Sequence, residues 1–238
     1  MAVPMEGQDF DWAAGLMERR RQRYAAYSPV FWRPAKGVAA LHAESMRATA
    51  SSDGAVALRT AHGFAVAYPH EGRCFVDDFA VEPDALWPTE GQELLLGIWH
   101  AARSPDRPLL RAVTARRDEP KRSLLADLGL AAAARWWVKE LASTAAAPAW
   151  GPVDLDGVDA LIVPAPPVYD PGGPVCLLGD LDADRAGDAA AAAARHGAVL
   201  AVVQRDRSPD PAPVDEPVLE ALGFHNPSEF YEGSPSAS

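Results

Sequence analysis

One pattern occurs twice in this chain. From Leu110 the sequence LRAVTARRDEPKRSLLADLGL passes from an apolar run through Asp118-Glu119-Pro120 and a short amphipathic segment to Leu128-Gly129-Leu130. From Ala198 the order recurs as AVLAVVQ, a Pro- and Asp-rich loop, Asp215-Glu216-Pro217, a short helical segment and Leu222-Gly223-Phe224. Each copy reads as strand, turn, helix and exit into another strand. Two such copies constrain the chain to a tandem or partly duplicated α/β fold.

Composition narrows the classes of function. The 238 residues, 48% of them hydrophobic, fit one large or two small domains with a sizeable core. A formal charge of −11 argues against a nucleic-acid partner. The dense basic run Arg19-Arg20-Arg21-Gln22-Arg23 reads as the solvated face of a helix. Cys74 and Cys176 lie far apart in apparent strands without metal-ligand spacing, and read as buried thiols in a reducing cytoplasm. No apolar run approaches a membrane span, and no signal sequence opens the chain. The expectation is therefore a cytoplasmic protein with no metal, no nucleic acid and no membrane partner, as a monomer or homodimer. The small polar tail Gly233–Ser238 is expected to fray.

Periodicity predicts helices over about 11–27 and 37–48, the latter with Val38, Leu41, His42 and Ser45 or Met46 inward. A three-strand antiparallel meander is predicted at 55–60, 63–68 and 73–81. A loop, Asp84–Gly91, leads to a helix from Thr89 to Arg103. Strand 109–114, helix 119–128 and strand 135–141 follow, the strands extending the meander's sheet. Residues 143–151 read as a linker, so the division is 1–148 and 149–238. The second half reads as strands at 158–163, 175–181, 199–204 and 229–231 with helices at 182–196 and 217–222.

The order of elements over 11–141 resembles the GCN5-related N-acetyltransferase (GNAT) family. Strand Phe75–Val81, carrying Asp77-Asp78-Phe79-Ala80-Val81, stands in the place of the family's fourth strand, which precedes the coenzyme A pyrophosphate loop. Gly91-Gln92-Glu93-Leu94-Leu95 is similar to the family's Gly-x-x-Leu-Leu helix start, and Asp118 to Gly129 matches its later helix and Leu-Gly-Phe exit. The second half resembles the back half of the same fold. The resemblance implies an α/β (α+β) architecture: a GNAT-like mixed sheet flanked by helices, plus a second, truncated GNAT-like half. It also implies acetyl-CoA as co-substrate with an amine acceptor. The implied cofactor-binding residues are Val81, Trp87, Thr89, Gly91 and Gln92. Thr89 would cap the helix, and its free N–H groups would meet the pyrophosphate. The family's basic or amide position is Leu86 here, its first loop glycine is Thr89, and Glu90 adds a negative charge. The family's acidic Tyr is Leu125 in the first copy and Leu219 in the second.

Acyl transfer to an amine needs a base, donors for the thioester carbonyl and an acid for the thiolate. Asp77 and Asp78 are adjacent on a strand and should face opposite sides, which points one into the cleft. Asp78, Asp77 and Glu82 are the candidate bases; their structural reading is as carboxylates that orient neighbouring loops. His42, His62 and His70 read as structural or surface groups. Two functions follow. One is an acyl-CoA-dependent N-acetyltransferase acting on a small-molecule or peptide amine by direct attack on the thioester. The other is a non-catalytic GNAT-like protein that binds a ligand or partner.

Overall fold

A computed structural model describes residues 1–143, 147–179, 181–206 and 216–236. The chain forms two compact units. Unit 1 comprises Met1–Arg23, Gly37–Ala132 and Phe230–Ser238; unit 2 comprises Tyr24–Lys36 and Ala133–Glu229.

Unit 1 contains β1 (Val3–Pro4), α1 (Asp9–Ala25), α2 (Val38–Ala50), β2 (Val56–Arg59), β3 (Gly63–His70), β4 (Arg73–Val81), α3 (Gln92–Ala102), β5 (Leu109–Ala115) and α4 (Glu119–Asp127). Strands β1 to β4 are antiparallel neighbours, and β4 pairs parallel to β5. The β3–β4 hairpin turns on Glu71 (φ 49°) and Gly72 (φ 71°), the positive-φ pair that suits the twist of a two-residue hairpin. Alternation along β3 separates two cores. Phe64 and Val66 meet Phe10, Leu16, Met17 and Met46 of α1 and α2, whereas Ala65 and Ala67 meet the α3 and α4 side. On α3 the residues Leu94, Leu95, Ile98, Trp99 and Ala102 make one buried helical face.

The chain continues through β6 (Ala131–Glu140), β7 (Gly151–Asp154), β8 (Asp159–Val163), β9 (Val175–Leu178), α5 (Ala186–Arg195), β10 (Leu200–Asp206), α6 (Glu216–Ala221) and β11 (His225–Gly233). In unit 2, β7, β8 and β9 are antiparallel, β9 pairs parallel to β10, and β10 pairs antiparallel to β6. The alanines of α5 pack against Cys176, Leu178, Ala201 and Val203. Side chains this small let helix and sheet approach closely. Gly197, at φ 94°, ends the helix as the sequence predicts.

The duplication is visible in the pairing. Both β4-α3-β5-α4-β6 and β9-α5-β10-α6-β11 run strand, helix, strand, helix, strand. The parallel ladders match: Arg73↔Leu109 to Val76↔Ala112 in one copy, Val175↔Leu200 to Leu178↔Val203 in the other. Cys74 and Cys176 occupy the second rung of each, both buried and free.

The final strands depart from expectation. Strand β6 does not extend the sheet beside β5; it pairs with β10 from Glu140↔Leu200 to Ala134↔Asp206. The neighbour of β5 is β11, whose end, Phe230–Gly233, belongs to unit 1. The reason is in the side chains. Trp137 and Val138 of β6 are buried in unit 2 clusters, while Tyr231 fills the unit 1 core and Glu232 pairs with Arg73 at 2.6 Å. The compact units are therefore drawn differently from a division of the sequence at residue 148. Nor does the tail fray as expected: Ser234 Oγ donates to the Pro108 carbonyl at 3.0 Å and the Ser236 N–H to that of Leu128 at 3.2 Å. Asp215 with its loop, part of the expected linker, and residues 237 and 238 lie outside the described residues. No helix among the described residues is long and apolar enough to cross a membrane.

Candidate functional site

The site begins with a fault in a strand. Strands β3 and β4 pair from His70↔Arg73 to Ala67↔Val76 and again from Val66↔Asp78 to Gly63↔Val81, so Asp77 is an extra residue opposed by nothing. A bulge of this kind bends its strand and increases the local twist. The β4–β5 ladder ends at the same point, at Val76↔Ala112, although β4 runs on to Val81 and β5 to Ala115. The strands part there and leave a seam along 78–81. The regular alternation expected for Asp77 and Asp78 is broken by the same bulge.

Asp77 is exposed to solvent and, among the described residues, forms no hydrogen bond or ion pair. Its carboxyl is raised from 3.8 to about 7, chiefly by desolvation and then by the charge of Asp78, against the pull of Arg21 and Lys121. Exposure and desolvation coexist because solvent reaches the group from one side while protein surrounds the others. Asp78 behaves oppositely. Burial alone would raise it, but the His42 imidazole, its hydrogen bond and the charges of Arg21 and Lys121 hold the carboxyl below its ordinary value. His42 Nε2 lies 2.7 Å from Asp78 Oδ1, and Arg21 Nη1 lies 3.0 Å from His42 Nδ1. An arginine can only donate, so Nδ1 accepts from Arg21 and Nε2 donates to Asp78. Two adjacent carboxylates are thereby driven apart, one ionised and paired, the other accessible and able to exchange a proton near neutrality.

Cations fill the seam. Lys121 of α4, buried, donates from Nζ to the Phe79 carbonyl at 3.1 Å and sits 5.1 Å from the Phe79 ring centroid. Burial is the main force lowering its ammonium to about 8; Arg20 adds to this, and Asp118, Asp77 and Asp78 oppose it. Arg20 Nη1 reaches the Val81 carbonyl at 3.2 Å, its Nε bonds Asp118 Oδ2 at 2.8 Å, and its guanidinium lies 4.7 Å from the Trp87 ring. Arg20 is 1% exposed and Arg21 3%, which corrects the reading of the basic run as a solvated face. Half of that run turns inward because Asp118 and the His42–Asp78 pair are there to meet it. Glu82, the third candidate base, is held by Arg19 at 2.9 Å. It lines a cavity of about 590 Å³ with Trp12, Leu16, Arg19, Arg23 and Asp84.

The expected phosphate loop is helical. A 3-10 turn at Asp84–Leu86 and a π turn at Trp87–Gly91 run directly into α3. Thr89 does not cap; its hydroxyl donates to the Leu86 carbonyl at 3.2 Å. The Gln92 N–H donates to Thr89 and Trp87 carbonyls. Trp87 is 1% exposed, packed edge-on to Phe79 at 4.8 Å. At Gly91 an added Cβ would stand 2.8 Å from the Trp87 ring and 2.9 Å from Leu124, so this glycine makes room for core packing. Glu90 accepts from the His62 N–H at 2.9 Å. Val81 is buried, and its carbonyl is the one Arg20 takes. Leu125, at the family's Tyr position, is fully buried in the same core.

The second copy repeats one detail. Phe79 lies three residues beyond the last rung of its ladder; the equivalent residue in unit 2 is Leu181, three beyond Leu178. The Leu181 carbonyl is likewise taken by a cation, Arg205 of β10. Among the described residues no group of three or more His, Cys, Asp or Glu is placed to hold a metal ion.

His42 is the residue that sequence reasoning undervalued. It shares the buried face of α2 with Val38 and Met46, and a polar group on such a face must have a partner. That signal was available; the identity of the partner, on a strand 36 residues on, was not.

Solved structures share the fold. A GCN5-related N-acetyltransferase from Sphaerobacter thermophilus matches with a TM-score of 0.56 and 13% identity, over 100% of this chain and 96% of that one. A Pyrococcus horikoshii protein classed as an acetyltransferase matches at 0.54 and 10% identity, over 100% and 90% of the two chains. One from Thermoplasma acidophilum gives 0.51 and 11% identity, over 80% and 82%. No family model and no curated protein matches the sequence. The chain has the GNAT fold, a mixed sheet flanked by helices, built here from one copy and a second, shorter one.

Proposed function

We propose that this protein is an acyl-CoA-dependent N-acetyltransferase that acetylates an amine by direct attack on the thioester. The observation that carries the reading is Asp77. The bulge that parts β4 from β5 also presents an accessible carboxyl that makes no hydrogen bond or ion pair among the described residues and whose proton affinity lies near neutrality. A base so tuned takes a proton from an ammonium as its nitrogen attacks. The C–N bond forms, the C–S bond breaks, and the nitrogen's second proton passes through solvent to the departing thiolate. A thiol of ordinary acidity, with a pKa of about 8.5, needs little help to depart. The acyl-CoA arm would lie along Asp78–Val81. For it to pair with that edge, Lys121 and Arg20 must release the carbonyls of Phe79 and Val81.

That requirement favours a second reading. A seam already closed by two buried cations, with the Gln92 N–H engaged and Trp87 in the core, suits a non-catalytic GNAT-fold protein that binds a ligand or partner. Calorimetric titration with acetyl-CoA separates the two. Saturable binding supports the enzyme; absence of binding at millimolar acetyl-CoA leaves the binding protein.

A further inference from the structure

Resting on the acetyltransferase reading, we infer that the acceptor is a primary ammonium carried on an aromatic body, its charge on Asp77 and its ring against Tyr68 and Phe75. The register places these groups together. On β3, Val66 and Tyr68 share a face; Asp78 stands opposite Val66 and Phe75 opposite Tyr68, with the bulged Asp77 between. Towards α1 and α2 this face is closed by Val66 and its neighbours. Beyond Asp77 it is paved with rings. Tyr68 and Phe75 are edge to face at 5.5 Å, His70 lies 5.7 Å from Phe75, and Phe230 stacks beside Phe75 at 6.4 Å. Tyr68 and Phe75 are partly exposed and His70 is exposed, so the paving is open to solvent.

The charges select a cation of limited length. Asp78 is committed to His42 and Arg21, which leaves Asp77 as the free anion beside the rings. Further along the same face Arg111 stands 5.3 Å from the Phe230 ring, and Arg73 shares Glu232 with it. An ammonium with a ring two carbons away meets an anion and then aromatic surface, both favourable. A polyamine that places a second ammonium further out meets Arg73 and Arg111, whose partners Glu71 and Glu232 are already engaged, and has no ring to set against the paving. The observations therefore favour an arylalkylamine over a polyamine.

The test is calorimetric, at pH 8, with 2-phenylethylamine, spermidine and the uncharged 2-phenylethanol as probes, each with and without acetyl-CoA. The expected result is that 2-phenylethylamine binds at least about tenfold more tightly than either other probe, as an added charge contact on a ring platform implies. Asp77→Asn should reduce that binding about tenfold, and Tyr68→Leu should weaken it while leaving acetyl-CoA affinity unchanged. Circular dichroism checks that both variants are folded; Tyr68→Phe, which keeps the ring, should retain binding. Spermidine binding as tightly as 2-phenylethylamine, 2-phenylethylamine affinity untouched by Asp77→Asn, or no amine bound at all would each overturn the inference. Failure of acetyl-CoA alone to bind would instead overturn the acetyltransferase reading, because amine binding is scored without it.

Discussion

Lys121 and the carbonyl of Phe79 are joined at 3.1 Å across the seam that opens where β4 and β5 cease to pair. The equivalent carbonyl of the second copy, that of Leu181, is held by Arg205. A parallel pair that splays leaves backbone acceptors with no strand to satisfy them, and buried acceptors must be satisfied. Both copies meet this need with a cation, supplied from a different element in each. The same acceptors are what an added ligand arm would use, so the cations compete with it.

Replacing Lys121 by Met keeps the length and removes the donor. The freed Phe79 carbonyl costs about 1–3 kcal/mol of stability if nothing takes its place. The variant should unfold at lower urea than the parent yet bind acetyl-CoA several-fold more tightly. Equal affinity in parent and variant would show that Lys121 does not compete for the seam.

Arg20 and Asp118 form an ion pair with both side chains 1% exposed. Removing one partner from such a pair costs about 3–5 kcal/mol because the other charge is left buried alone. Asp118→Ala should fall in that range in urea titrations, whereas Arg20→Met with Asp118→Leu should recover much of the loss. If the single variant is as stable as the parent, the pair is not the anchor described here.

Asp77 carries a stability signature independent of turnover. Its folded carboxyl titrates near 7 against an ordinary 3.8, so between those values the folded state holds a proton that the unfolded chain has released. Stability contributed by that proton is present at low pH and is lost as pH rises through the window. Asp77→Asn should therefore match the parent near pH 4 and become the more stable protein above about pH 7. A difference that does not grow with pH would place the carboxyl's affinity elsewhere.

Gly91→Ala tests what the glycine is for. Its Cβ would be forced to within 2.8 Å of Trp87 and 2.9 Å of Leu124. Overpacking of this kind costs about 1–3 kcal/mol, so the melting temperature should drop with or without acetyl-CoA present. A variant that melts like the parent but loses acetyl-CoA binding would return Gly91 to the phosphate-loop role. Leu125→Tyr, which would place the tyrosine of the GNAT pattern at this position, is disfavoured on the same ground, since Leu125 is fully buried in that core.

Much of the fold was legible because it rests on local signals. The meander of β2 to β4, the face of α3 and the C-cap at Gly197 follow from alternation, helical spacing and a glycine in place. The repeated Leu-Gly-hydrophobic exits marked both copies. What stayed hidden depends on partners remote in sequence. Arg20 turns inward for Asp118, 98 positions away, and a run of arginines carries no sign of which members will be met. The bulge at Asp77 leaves an ordinary-looking strand, since one extra residue does not alter residue preference. The exchange of β6 and β11 is equally silent, because β11 reads HNPSEFYEG, and its two large apolar residues, Phe230 and Tyr231, give no sign of which strand it will join. Trp87 read as a loop residue next to Pro88; only the absence of a side chain at Gly91 lets the turn close over its ring.

The most direct test of the central claim is thiol release from acetyl-CoA with 2-phenylethylamine, followed from pH 5 to 9 for the parent and Asp77→Asn. The account predicts that the parent's rate climbs as pH rises through about 7, when Asp77 becomes the free base. In Asp77→Asn the rate should fall about 10²–10⁴-fold and lose that inflection. Release at equal rates in both proteins, or a parent profile flat through pH 7, would contradict it.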